Sequence, residues 1–182
     1  MYAQKSDFIK DGNLPMPASD QGVYPDRYRL IPRTLIFITR GQKVLLLKGA
    51  LQKRLWAGLY NGIGGHVEKG EDILGAARRE LIEETGLSCD GLWLCGTLLV
   101  DTGQDTGIAI FILRGEMPSG EPVPSPEGDL EWVGFSAIHD LPLVEDLYRL
   151  LPRVLAAKIG DPPFSARSAY DARDRLVLTI NE

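Results

Sequence analysis

The chain of 182 residues is 44% hydrophobic and 25% charged, the balance of a globular protein with one core rather than of a disordered or fibrous chain. Its net charge of −5 offers no basic footprint for duplex nucleic acid, so a phosphate-bearing partner has to be met locally, by a metal or a few placed cations. The longest apolar run, IAIFIL at 108–113, is too short to span a bilayer, and the N-terminus carries charges and prolines where a signal peptide needs an apolar stretch, so a cytoplasmic protein without a membrane anchor is expected.

Residues 1–28 hold prolines, glycines and aspartates without a sustained period and read as an irregular N-terminal arm ahead of one domain over 29–182. TLIFIT at 34–39 and KVLLLK at 43–48 are strand-like and flank a turn at Gly41. LYNGIGGHV at 59–67 is expected as a further strand, its glycines marking close backbone approach. DILGAARRELIEET at 72–85 has helical spacing, with Ile73, Leu74, Ala77 and Leu81 in one quadrant, Asp72 as N-cap and Gly86 as the left-handed C-terminal residue. Two strands follow at 92–100 and 107–115, then a proline-rich loop, a strand at 130–135, and a helix over 144–159 that Pro152 kinks. FSARSAY and RLVLTI near the C-terminus read as closing strands. This order gives an α+β protein with a mixed sheet rather than a regular βαβ winding. Cys89 and Cys95 fit neither a redox pair nor a zinc knuckle and are expected as buried, reduced thiols.

The helix at 72–85 crowds like charges together. Counting from Ile73, Glu83, Glu80 and Glu84 point at about 280°, 340° and 20°, a stripe along the edge of the apolar quadrant. Two carboxylates ~5.5 Å apart repel by less than ~1 kcal/mol in water and by about 3 kcal/mol at an effective dielectric near 20. A half-buried stripe therefore needs a cation. Arg78 and Arg79 answer part of that charge, and clustered hard oxygens are what Mg²⁺ or Mn²⁺ prefers; a solvated acidic face is the alternative.

The spacing decides further. Gly65, five residues, Glu71, seven residues, Arg79-Glu80-Leu81, one residue, Glu83-Glu84, one residue, Gly86-Leu87 resembles the Nudix box at every specified position over 65–87. The resemblance implies an α/β/α sandwich with a mixed sheet and a loop–helix–loop motif, and metal-dependent hydrolysis of a nucleoside diphosphate linked to another moiety. It implies Glu80, Glu83 and Glu84 as ligands of Mg²⁺ or Mn²⁺, with the carbonyl of Gly65 as a further ligand. Arg79 and Glu71 would orient and neutralise the group, and Glu83 and Glu84 would serve the reaction. Glu127 resembles a loop glutamate that joins the site in some members, with Glu131 as its competitor. His66 and His139 are not expected in catalysis.

The flanking residues bear on substrate. LWAGLYNGIGGHVEKGE resembles the branch acting on oxidised purine nucleoside triphosphates, where Asn61 would read the base; Glu145 and Asp146 resemble the adjacent acids that the same branch uses there. An asparagine amide both donates and accepts, which suits a purine edge. Trp56 and Tyr60 either stack on the base or pack. The implied partner is a small nucleotide cleaved to monophosphate and diphosphate. ADP-ribose, nucleotide sugars or dinucleotides are alternative substrates, and a non-catalytic nucleotide-sensing module is the alternative from another class.

Overall fold

A computed structural model describes residues 21–24, 26–52, 55–117 and 119–181, so most of the expected arm lies outside the described residues. Eight strands and two helices follow in chain order. The first hairpin joins β1 (Arg29–Arg40) to β2 (Lys43–Gly49), and the short β3 (Tyr60–Asn61) leads towards α1 (Ile73–Thr85). Next come β4 (Trp93–Val100), β5 (Thr106–Glu116), β6 (Gly128–Gly134) and a 3-10 turn at Phe135–Asp140. The chain ends with α2 (Leu147–Ala156), β7 (Phe164–Tyr170) and β8 (Leu176–Asn181).

Strand β1 is twice the expected length because it pairs in parallel with β5 from Arg29↔Thr106 to Thr39↔Glu116. Pro32 is tolerated there: its carbonyl accepts from Val67 N–H, so its missing donor faces the irregular side of the strand and not the ladder with β5. The sheet runs β3-β2-β1-β5-β4-β7-β8, with β6 against the outer edge of β2. Both β1·β5 and β4·β7 are parallel in an otherwise antiparallel sheet, the mixed sheet expected.

Alternation along β1 splits the core in two. Ile36 and Ile38 face α1 and pack with Ala77, Leu81 and Leu113, whereas Phe37 faces α2 and packs with Leu147, Leu150, Leu151 and Val154. The fold is therefore the α+β sandwich. On α1, Leu74 is 37% exposed and Ala76 is buried instead, so the buried arc of the helix lies further towards Ala76 than the apolar residues alone suggest. Asp72 Oδ1 accepts from Gly75 N–H at 2.8 Å, and Gly86 at φ 70° closes the helix by donating to Ile82.

Helix α2 is shorter than expected. Val144 donates to Tyr60 O, which holds 143–144 extended beside β3, and Arg114 Nη1 gathers the carbonyls of Val154, Leu155 and Ala157 at the other end. Cys89 and Cys95 are buried and unpaired, and burial pushes the Cys95 thiol up to about 11. No helix among the described residues is long and apolar enough to cross a membrane.

Candidate active site

Strands β1 and β2 stay paired only at Thr39↔Val44 and Arg40↔Lys43, then part. The segment 60–66 enters the opening. Tyr60 and Asn61 pair with β2, and Ile63 and His66 cross to bridge Ile36 and Arg33 of β1. The expected strand over 59–67 is thus two residues of strand on β2 followed by a glycine-rich segment held to β1 by isolated antiparallel bridges. Gly64 explains why: at φ 148° it adopts a conformation other residues rarely hold, and a Cβ there would lie 2.2 Å from Thr34 O. Gly65 lies close to the helix in a milder way: a Cβ there would meet the flexible end of Glu80, with Oε1 at 2.4 Å. The glycines ahead of the helix bring the backbone against β1 and against the first of the three glutamates.

Arg79 organises the helix charges. Its Nε and Nη2 grip Glu71 at 2.7 and 2.9 Å in a two-pronged pair, and Nη1 reaches Glu80 at 2.8 Å and Glu83 at 3.0 Å. Nη2 also donates to the carbonyl of His66 at 3.0 Å, tying the helix to the turn. The Arg79 pairing, helped by Glu68 N–H, holds the Glu71 carboxyl down at about 2, and the same acids raise the Arg79 guanidinium further.

A cavity of about 390 Å³ opens between the turn, α1 and the start of α2, and it collects Asn61, Glu80, Glu84, Glu127 and Asp146 from distant parts of the sequence. A smaller recess of about 100 Å³ shares Asn61, Trp56, Glu84 and Glu127 with it. Glu80 is 13% exposed and lies within the buried arc of α1 rather than at its edge. Glu83 is 57% exposed, sits on the rim in the grip of Arg79, and does not line the cavity. Gly64 N–H points at Glu84 across a long 3.4 Å. Glu131, in β6, accepts from the Tyr60 hydroxyl at 2.9 Å and stays out of the cavity; of the two competing acids, Glu127 in the preceding loop lines the site.

In the same lining, Asn61 Oδ1 accepts from Gly62 N–H at 2.8 Å, and among the described residues its amide donors make no hydrogen bond. Burial raises the Asp146 carboxyl above the usual carboxylate range, with Glu145 adding to the shift. Glu145 itself is exposed and lines a separate surface recess with Arg149, Asp171 and Arg175, so the two adjacent acids part company. Sequence reasoning missed Arg33 and Thr34. Both line the cavity; Arg33 Nε and Thr34 Oγ1 are shut off from solvent without a hydrogen-bond partner. Their only signal was a place at the head of an apolar run.

Among the described residues, no three His, Cys, Asp or Glu side chains converge as a metal cage, since Arg79 holds Glu80 and Glu83. The donor chemistry nonetheless fits a divalent cation. The carboxylates of Glu80 and Glu84 face one cavity, Glu80 packs on the Gly65 backbone, and the Gly65 carbonyl, which accepts from Thr34 N–H at 2.9 Å, keeps a second lone pair.

The chain is similar to known proteins in sequence and in fold. A family model of the NUDIX domain matches residues 29–154. The oxidized purine nucleoside triphosphate hydrolase of Danio rerio is 37% identical over 106 residues, covering 58% of this chain and 67% of that protein. The NAD-capped RNA hydrolase NudC of Stutzerimonas stutzeri is 29% identical over 150 residues, 80% of this chain, which spans about half (51%) of NudC. The crystal structure of a MutT protein from Bacillus halodurans superposes with a TM-score of 0.70 at 26% identity, covering 84% of this chain and 98% of that one. The box, folded as one loop–helix–loop against β1 and spanned by the family match, places this chain in the Nudix family, as a Nudix pyrophosphohydrolase.

Proposed function

We propose that the protein hydrolyses a nucleoside triphosphate carrying an oxidised purine to the monophosphate and diphosphate, with Mg²⁺ or Mn²⁺ as cofactor. The observation that carries this reading is the shared cavity, in which a base-reading pair, Asn61 and Asp146, faces the carboxylates Glu80 and Glu84. Burial raises the Asp146 carboxyl, so it keeps its proton to higher pH than an ordinary one; in its protonated form it would donate to a purine acceptor beside the Asn61 amide.

Glu80 and Glu84 with the Gly65 carbonyl would hold the metal, Glu83 joining them only on leaving Arg79, and the metal would supply charge neutralisation at the phosphates and a lowered pKa for an attacking water. Water adds to phosphorus, the bridging P–O bond breaks towards diphosphate, and a carboxylate oxygen of Glu127 or Glu84 takes the released proton. The fork between Arg79 and Glu71 keeps the helix and turn in register throughout.

A panel run with Mg²⁺ tests this: an oxidised purine deoxynucleoside triphosphate, ordinary triphosphates, ADP-ribose and a dinucleoside polyphosphate, with products separated. Preference for the oxidised purine, reduced by Asn61→Ala, is the expected result. Preference for a dinucleotide, the linkage suggested by the likeness to NudC, would replace the base-reading account and leave the catalytic helix in place.

A further inference from the structure

The cavity is acidic and its proposed substrate is a polyanion. Glu68, Glu80, Glu84, Glu127 and Asp146 all line it, and Arg33 is the one lysine or arginine among its described lining residues. A divalent cation beside Glu80 and Glu84 offsets charge on the helix side only. The β1 side has Arg33.

Among the described residues, the Arg33 guanidinium makes no ion pair and no hydrogen bond, and its Nε is closed off from solvent. Arg114 and Arg153 also carry a closed-off Nε, but neither lines the cavity: Arg114 Nη1 donates to the carbonyls of Val154, Leu155 and Ala157 and Arg153 lies over the Phe164 ring, while Arg79 is shared among Glu71, Glu80 and Glu83. A buried donor left unpaired is costly, so a ligand acceptor is the natural partner for Arg33. Its position also fits. Arg33 lies in register with Ile110 of β5 on one side and bridges His66, next to the Gly64-Gly65 turn, on the other. It shares a face of β1 with Leu35, two residues on, and Leu35 and Ile110 also line the cavity. Arg33 therefore stands between the apolar residues Leu35 and Ile110 of the cavity and the Gly64-Gly65 segment.

We infer that Arg33 binds the phosphate chain of a nucleoside triphosphate from the β1 side, opposite the metal-binding carboxylates, and so sets the preference for triphosphates over less charged nucleotides. The guanidinium fork matches phosphate oxygens two at a time, which an ammonium does not. This rests on the triphosphate reading above.

The test uses the full chain with Mg²⁺ and the variants Arg33→Gln and Arg33→Lys. Turnover of the oxidised purine triphosphate is measured together with binding of its non-hydrolysable analogue and of the matching monophosphate. Arg33→Gln is expected to weaken the triphosphate analogue by about tenfold or more and the monophosphate by less than about threefold, with KM rising far more than kcat falls. Arg33→Lys recovers part of the loss, and the loss shrinks as salt is raised. Equal weakening of both ligands would overturn the inference in favour of a contact to base or sugar; no weakening of either would leave Arg33 a structural residue. Both outcomes are read only if the wild-type protein binds the triphosphate. A wild-type protein that neither binds nor cleaves it overturns the substrate reading and this inference together, whereas normal cleavage by Arg33→Gln removes the inference alone.

Discussion

Glu84 and Glu127 are the carboxylates to which the proposed reaction assigns the proton transfer. Both face the cavity, from α1 and from the loop before β6. Glu84→Gln is expected to lower kcat by about 10² to 10⁴-fold, and Glu127→Gln by a comparable factor if it takes the proton. Turnover within a few-fold of wild type for both would remove these carboxylates from the mechanism. Glu71 makes a different, acid-range prediction. Its folded carboxyl lies at about 2 against an ordinary 4.5, so its contribution to stability is complete above 4.5 and fades as pH falls towards 2. Denaturant titrations over that window should show wild type losing stability more steeply than Glu71→Gln; parallel curves would mean that the fork with Arg79 is not kept in solution.

At the scale of elements, α1 and the turn before it carry separable burdens. Leu81 is fully buried against Ile36, Ile38 and Ala77, and Leu81→Ala should cost about 2–5 kcal/mol of stability while the surviving folded protein keeps most of its kcat. Gly64→Ala meets a forbidden conformation and the Thr34 carbonyl at once. It should cost about 1–3 kcal/mol and, by shifting the turn, about 10²-fold in kcat. Paired unfolding and steady-state measurements check both; equal kinetic losses in the two variants would contradict the division. Box residues were legible in the sequence because a helix places side chains by local spacing alone, so Glu80, Glu83 and Glu84 fall on one stripe wherever the helix packs. The extent of β1 was not legible, because its partner β5 begins some seventy residues later and pairing, not propensity, extends the strand to Arg29.

The whole molecule reaches beyond the family match, which ends at residue 154, while the sheet continues through β7 and β8. Phe164 is 3% exposed, lies in the α2-side core and packs on Gly96, where a Cβ would come within 2.4 Å of its ring. Removing residues 160–182 would bare the edge of β4 and the α2-side core, so the truncated protein is expected to aggregate, and Phe164→Ala to lose about 3–5 kcal/mol. A soluble truncation with an unchanged melting temperature would show that the closing strands are dispensable.

Taken alone, the sequence determined the box, the capping of α1 by Asp72 and Gly86, and the α+β class, because each rests on residues within a few positions of one another. The tertiary structure decided which outlying acids meet the box. Glu127 and Asp146 line the cavity while Glu131 is tied to Tyr60 and Glu145 turns to another surface, and neighbours in the chain were separated because each backbone position presents its side chain in one direction. Arg33 reached the site by the same route: the parallel pairing of β1 with β5 and the bridge to His66 set it at the cavity wall, contacts between segments far apart in the chain that local spacing does not encode.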